Sequence, residues 1–193
     1  MKLSVVIPVY NEKDTIAKVV EQVLKVDLPA HLEREVLLVD DGSNDGSSAV
    51  LDELASTLPL TVVHLTPNRG KGVAVRTGLE RASGDILLIQ DADLEYDPQD
   101  YPALLAPILD GRAKVVYGSR FLGRPQGMTS LHWLGNFILS ITASILFGQK
   151  LTDAYTCYKV MRREVAQRIS LRSRGFELEA ELTAKILKQG HHV

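Results

Sequence analysis

The chain has 193 residues, 45% of them hydrophobic and 24% charged, with 22 Lys and Arg against 24 Asp and Glu and a formal net charge of -2. That length fits one domain around one core, and the composition is that of an ordinary globular protein. The charge balance argues against broad nucleic-acid binding, which needs a net basic face.

The N-terminal stretch MKLSVVIPVYNE begins like a signal peptide, but Pro8, Asn11 and Glu12 end the apolar run too soon and no small-residue cleavage site follows. It reads as a first core strand near 3–9. Ile16, Val19, Val20, Val23 and Leu24 then recur at helical spacing along one buried stripe. Further strands are expected near 35–40, 60–65, 85–90 and 113–118. Helices fill the gaps, two of them beginning near Asp45 and Lys71 close behind strands. Continuous apolar strands alternating with helical patterns predict an α/β fold, with a mostly parallel central sheet and helices on both faces. No repeat, low-complexity segment or linker interrupts the expected single domain, 1–193.

Residues 131–148, LHWLGNFILSITASILFG, depart from that rhythm. They lack Asp, Glu, Lys and Arg and approach the length of a membrane span. Asn136, Ser140, Thr142 and Ser144 interrupt the run, and Trp133 near one end suits an interface. An amphipathic helix at a membrane surface, an ordinary buried helix and a span are the three readings, with the span the weakest. A strand near 156–162 and a helix over FELEAELTAKILKQG follow, the latter stopped by Gly190. Cys157 has no internal disulfide partner, which fits a reducing compartment such as the cytoplasm, and reads as a small hydrophobe in a strand. The chain ends on HHV where another strand is expected, which suggests truncation.

Four groups of residues carry chemistry. After the fourth strand, DADLEYDP places Asp91, Asp93 and Glu95 at alternate positions, on one side of an extended chain and about 6.5–7 Å apart. Carboxylates lined up at the carboxyl edge of a parallel sheet repel one another unless a cation sits among them, and oxygen-only donors select Mg²⁺ or Mn²⁺. The alternative is a solvated turn whose acids cap the helix after Pro98. VDDGSNDGS puts Asp40 and Asp41 at the end of the second strand, either as acceptors for a base N–H or ribose hydroxyl or as part of a competent turn needing no ligand. In NRGKGVAVRTG, Gly70 and Gly72 flank Lys71 at a strand-to-helix junction. Backbone N–H groups and an ammonium there can face a diphosphate, although the Walker A spacing is missing. Arg120 in GSRFLGR follows the fifth strand and reaches the same edge, as a phosphate fork or as an exposed surface residue, with Lys159 adding positive charge further on.

Taken in order, VVIPVYNE, VDDGSNDGS, NRGKGVA, DADLEYDP, GSRFLG and LTDAYTCYK resemble the family-2 glycosyltransferases, in particular the dolichyl-phosphate mannose synthase and bacterial polyprenyl-phosphate branch, over about residues 3–190. The resemblance implies a GT-A fold, a UDP- or GDP-sugar donor, a divalent cation and inverting transfer to a polyprenyl phosphate. Peripheral contact with the cytoplasmic face of the membrane goes with it. Carried over residue by residue, it places Pro8, Tyr10 and Glu12 in a first donor-binding loop and Asp40 and Asp41 at the base and ribose. Lys71 joins them near the diphosphate. Asp91, Ala92 and Asp93 match the metal–diphosphate motif, and Glu95 falls where relatives often have Gln. Arg120, with Lys159 behind it, stands for the acceptor phosphate. Asp153 is the candidate base should the acceptor be a hydroxyl on a glycan, lipid or protein. The basic residues that this branch carries on its interfacial helix have no match in 131–148. A non-catalytic nucleotide-sugar-binding domain is the third reading.

Overall fold

The computed structural model describes residues 1–29, 31–122 and 130–193, and the side chains of residues 130–133 lie outside that description. Strand β1 (Lys2–Val9) leads to helix α1 (Ile16–Lys25), β2 (Glu33–Asp40), α2 (Ser47–Thr57), β3 (Leu60–His64), α3 (Lys71–Arg81) and β4 (Ile86–Ile89). A short 3₁₀ turn (Pro98–Asp100) precedes α4 (Tyr101–Leu109), β5 (Val115–Tyr117), α5 (Ser130–Phe147), β6 (Lys159–Arg162), α6 (Arg163–Ala166) and α7 (Leu178–Lys188). The strands form a six-stranded sheet in the order β3-β2-β1-β4-β6-β5. β1 to β4 pair in parallel, while β6 runs antiparallel to both β4 and β5.

The continuous apolar runs explain the parallel part. Leu3, Val5, Val6 and Ile7 of β1 and all four residues of β4 are at most 2% exposed, because helices cover both faces. The stripe predicted for the first helix is the buried face of α1, with Ile16, Val19, Val20 and Val23 inside. One core cluster runs from Leu3 to Ile186.

Two strands are shorter than their apolar runs suggest. The run near 113–118 pairs only over Val115–Tyr117, and that near 156–162 only over Lys159–Arg162. Thr156 instead turns its hydroxyl onto the Gly118 carbonyl, and the Cys157 N–H donates to the Tyr96 hydroxyl at 3.0 Å. Cys157 is therefore buried beside the sheet, not in a strand.

Register decides where chemistry can occur. β4 ends at Ile89 opposite Val6, while β1 continues beside β2 until Val9 faces Asp40. The last rung is the Gln90 N–H donated to the Val6 carbonyl. The next would need an N–H from residue 8, and Pro8 has none. The chain after β4 is thus released from the sheet at the carboxyl edge. Because β6 is antiparallel, the segment leading into it arrives at that same edge.

α5 inverts the usual polarity. Its Ser140 and Ser144 hydroxyls accept the N–H groups of Ala154 and Leu151 at 3.0 and 2.9 Å, tying the helix to the segment before β6. Ile138, Ile141, Ile145 and Leu146 are 42–77% exposed on its other sides. Among the described residues no helix is long and apolar enough to cross a membrane. Trp133 and His132 lie outside the described side chains, as does Gly123 of the GSRFLG motif.

Candidate active site

A cleft of about 560 Å³ opens at the carboxyl edge of the sheet. Its first wall is the loop after β1, with Pro8, Tyr10 and Glu12 on the lining. Asn11 adopts a left-handed φ of 56° and exchanges contacts with the loop after β2. Its N–H donates to Ser43 Oγ at 3.0 Å, and its Oδ1 accepts from the Asn44 N–H at 2.9 Å. The Glu12 N–H donates to Ser47 Oγ at 2.8 Å. VYNE and DGSNDGS, separated by some thirty residues, thus form one stitched rim.

Of the two acids ending β2, only Asp41 borders the cleft. Asp40 is 1% exposed and accepts from the Ser43 N–H, Ser48 Oγ and His64 Nδ1 at 3.0, 2.6 and 2.8 Å, so its oxygens are committed inside the protein. Burial raises its pKa, but the bonds from Ser43, Ser48 and His64 outweigh that and lower it. Asp41 accepts from the N–H groups of Arg69 and Gly70 at 2.9 and 2.7 Å. The Gly72 N–H donates to the Arg174 carbonyl at 2.7 Å. The Arg69, Gly70 and Gly72 N–H groups are therefore spent on Asp41 and Arg174, and Lys71 lines the cleft between them. Close approach explains the glycines: a Cβ on Gly70 would stand 2.3 Å from the Arg174 carbonyl oxygen, and one on Gly72 2.4 Å from that of Ser173.

The acids after β4 do not line up along one side of an extended chain, because pairing stops at Pro8 and the chain bends through Leu94 at φ 65°. Each has its own partner. Asp91 Oδ1 lies 2.6 Å from Lys71 Nζ. Asp93 is exposed and accepts the Glu95 N–H at 3.0 Å. Glu95 Oε1 lies 3.2 Å from Arg120 Nη1. Asp97 accepts from the Gln99 N–H at 2.9 Å and caps the 3₁₀ turn, as the capping alternative has it for this one acid. Beneath them Gln90 Oε1 accepts from Tyr101 and Tyr158 hydroxyls at 2.9 and 2.8 Å, and its Nε2 donates to the Asp91 carbonyl at 2.9 Å. A buried polar network therefore holds the base of the acidic turn.

Arg120 reaches this edge from β5. Its Nε and Nη2 donate to Asp153 at 2.8 and 3.1 Å, and its Cζ lies 5.9 Å from the Tyr96 ring centroid. Burial opposes the guanidinium's charge, but the bonds to Asp153 overcome it and raise its pKa. The Asp153 side chain is fully buried behind Arg120, off the cleft lining, and is the counter-ion of Arg120. Lys159 is also buried. Its ammonium is fully buried, bonded to Glu179 and the Thr156 carbonyl, and 4.9 Å from the Tyr117 ring centroid. It is not among the residues that line the cleft.

Among the described lining residues, the six carboxylates of Glu12, Asp41, Asp91, Asp93, Glu95 and Glu179 face the two cations Lys71 and Arg120. A diphosphate entering this excess of negative charge needs a cation with it. No group of three or more potential ligands forms a ready-made cage among the described residues. Exposed Asp93 and half-buried Asp91 instead provide the sparse, all-oxygen donor set that Mg²⁺ or Mn²⁺ uses when phosphate oxygens complete its shell. The residues present fit such an ion.

Phe176, Asn136 and Glu179 also line the cleft and belong to none of the motifs singled out in the sequence, and Tyr155, within LTDAYTCYK, joins them without having been marked as a site residue. Phe176 is 76% exposed, with its ring centroid 5.6 Å from Lys71 Nζ. The one signal available in advance was Glu179 itself, an acid at an otherwise core-facing position in FELEAEL.

The family model described as Glycosyl transferase family 2 matches residues 4–170. A polyprenol monophosphomannose synthase of Mycolicibacterium smegmatis is 33% identical over 202 residues, covering 98% of this chain and 73% of the relative. A dolichol-phosphate mannosyltransferase of Pyrococcus furiosus is 29% identical over 192 residues, 96% of this chain and 53% of that protein. The chain thus spans about half the length of the second relative. Among solved structures, glucosyl-3-phosphoglycerate synthase from Mycobacterium tuberculosis, in complex with Mn²⁺, UDP and phosphoglyceric acid, superposes with a TM-score of 0.73 at 23% identity, over 97% of this chain and 64% of that one. S. aureus TarS gives 0.67 at 22% identity, over 96% and 55%. At these identities the likeness speaks for the fold, which is the GT-A arrangement.

Proposed function

The chain belongs to glycosyl transferase family 2, and from that premise we propose that it moves a hexose, with inversion, from a nucleoside-diphospho-sugar to a polyprenyl phosphate. The observation that carries this reading is the Arg120–Asp153 pair at the acidic edge. A sugar hydroxyl acceptor needs a general base, and Asp153, the candidate for that task, is locked behind Arg120. A phosphate monoester, with a second pKa of about 6, already presents an oxyanion at neutral pH. Arg120 offers it a cationic fork whose orientation Asp153 fixes. The relatives' names, which include undecaprenyl-phosphate 4-deoxy-4-formamido-L-arabinose transferase of Proteus mirabilis (38% identical over 112 residues, 57% of this chain and 34% of that protein), point to the same acceptor class.

On this reading Pro8, Tyr10, Glu12 and Asp41 hold the nucleoside, while Lys71, Asp91, Ala92 and Asp93 border the diphosphate. A divalent cation held by Asp91 and Asp93 supplies charge stabilisation for the departing nucleoside diphosphate. The outward apolar sides of α5 rest on the membrane from which the lipid acceptor enters, at its cytoplasmic face.

A panel of UDP- and GDP-sugars offered with and without polyprenyl phosphate, and repeated in chelator, tests the proposal. Lipid-linked product should form only with acceptor and free divalent cation, and Asp93→Ala should remove it. Product on hydroxyl acceptors alone would refute the acceptor assignment.

A further inference from the structure

We propose that Glu179 is a positioning residue that receives the Lys71 ammonium when Asp91 is taken up by a dication and diphosphate. The inference rests on the donor reading above and concerns residues of this chain that no sequence motif connects.

Lys71 stands between two carboxylates. Its Nζ is 2.6 Å from Asp91 Oδ1 and 3.7 Å from Glu179 Oε1. The first contact engages the carboxylate that, on the donor reading, would hold the dication. The second lies just beyond hydrogen-bond reach.

Glu179 is built for a fixed position and an incomplete shell. It is 5% exposed on α7. Its Oε2 is bonded to the fully buried Lys159, so the carboxylate cannot follow a moving partner. Its Oε1 is buried and has no hydrogen-bond partner among the described residues. Leaving a buried charged acceptor without a hydrogen bond is costly, which a structural ion pair alone does not explain. An ammonium about 1 Å closer would satisfy it.

The movement required is confined to one side chain. The backbone at Lys71 is pinned on both sides, by Asp41 on the Gly70 N–H and by the Arg174 carbonyl on the Gly72 N–H. The four-carbon stem of lysine can carry its charge from one carboxylate to the other. Without Glu179, an ammonium displaced from Asp91 would face the incoming dication with no counter-ion. With it, the negative charge of Asp91 is released while Lys71 stays neutralised.

Mn²⁺ affinity in saturating UDP or GDP, read from the spectrum of free aquo-Mn²⁺ and independent of turnover, tests the exchange in four full-length proteins. Glu179→Gln should weaken Mn²⁺ binding by about tenfold, the size expected for losing one charged hydrogen bond. In a Lys71→Met background the same substitution should change it less than twofold, because no ammonium needs rehousing. Equal losses in both backgrounds, or no loss in either, would overturn the proposal. A second measurement covers the case in which Glu179→Gln fails to fold. In the wild type, the ¹⁵N signal of the Lys71 ammonium, assigned by its absence in Lys71→Met, should shift on adding Mg²⁺ with the nucleotide and remain protected from solvent exchange. An unchanged or solvent-averaged signal would overturn it. Failure of the wild type to bind either nucleotide with Mn²⁺ would sink the donor reading as well, whereas normal binding without coupling removes only the role of Glu179.

Discussion

Arg120 and Asp153 meet through a guanidinium fork, with Nε and Nη2 at 2.8 and 3.1 Å from the two carboxylate oxygens, and the Asp153 side chain has no exposed surface. Residues 33 positions apart are thereby joined at the end of β5 and the approach to β6. Replacing Asp153 with Asn should cost about 3 kcal/mol of stability, since it removes the buried charged partner of a half-buried cation and leaves Arg120 only the more exposed Glu95. It should also lower kcat/KM at least tenfold through misplacement of Arg120, by order of magnitude. The pH–rate profile separates this role from base catalysis. A positioning aspartate leaves the shape of the profile unchanged, whereas removal of a general base would erase its acidic limb.

Gly72 lies in the first turn of α3, where Gly→Ala ordinarily stabilises a helix by about 1 kcal/mol. Here the added methyl meets the Ser173 carbonyl oxygen at 2.4 Å. Gly72→Ala should therefore destabilise by about 1–3 kcal/mol, with the sign reversed by overpacking. Urea unfolding checks it, and nucleotide affinity should fall as well, because residues 173–176 carry the Phe176 side of the cleft.

His64 links the end of β3 to Asp40 and, through Nε2 at 3.1 Å, to Asp52. The bond to Asp40 raises its pKa above the ordinary value of 6.5, against the opposing effect of burial. A raised folded-state pKa means that its stabilisation is complete below that ordinary value and disappears as the pH rises through the folded value. For Asp40, whose pKa is lowered, the contribution is present above the ordinary aspartate value of 3.8 and is lost on acidification through the folded value. His64→Gln should therefore lower the melting temperature more at about pH 5.5 than at about pH 8.5, on either side of the histidine range. Equal shifts at both would contradict the linkage.

Ile145 and Leu146 are 77% and 73% exposed at the end of α5. Changing both to Asp should alter stability by less than about 1 kcal/mol, as surface substitutions do. It should weaken binding to phosphatidylglycerol-containing vesicles by about tenfold or more, since apolar area drives interfacial binding. Unchanged vesicle binding would remove the membrane contact from the proposed function.

Much of this architecture was legible beforehand because burial on both faces writes itself into a strand as an unbroken apolar run. β1, β2, β3 and β4 lie within two residues of their expected ends, and α1 buries four of the five residues of its predicted stripe. The 156–162 strand was overdrawn because Cys157 and Tyr158 are buried by side-chain packing and hydrogen bonds, which a hydrophobic pattern cannot distinguish from strand pairing. Glu179 went unnoticed for a related reason, since an acid at a core-facing helical position is a signal of burial but carries no spacing that ties it to the cleft.

By itself the sequence determined which chemistry stands at which strand end. Apolar runs closing on DD, DAD and GSR must place carboxylates and an arginine at one sheet edge once the strands are parallel, and Pro8 dictates where β4 lets go. Tertiary structure alone decided how those charges are partnered. It put Asp153 behind Arg120, Lys71 between Asp91 and Glu179, and Asp40 beneath the surface. Such pairings depend on distances of a few ångströms between residues far apart in the chain, and those distances exist only after the sheet register and helix packing are complete.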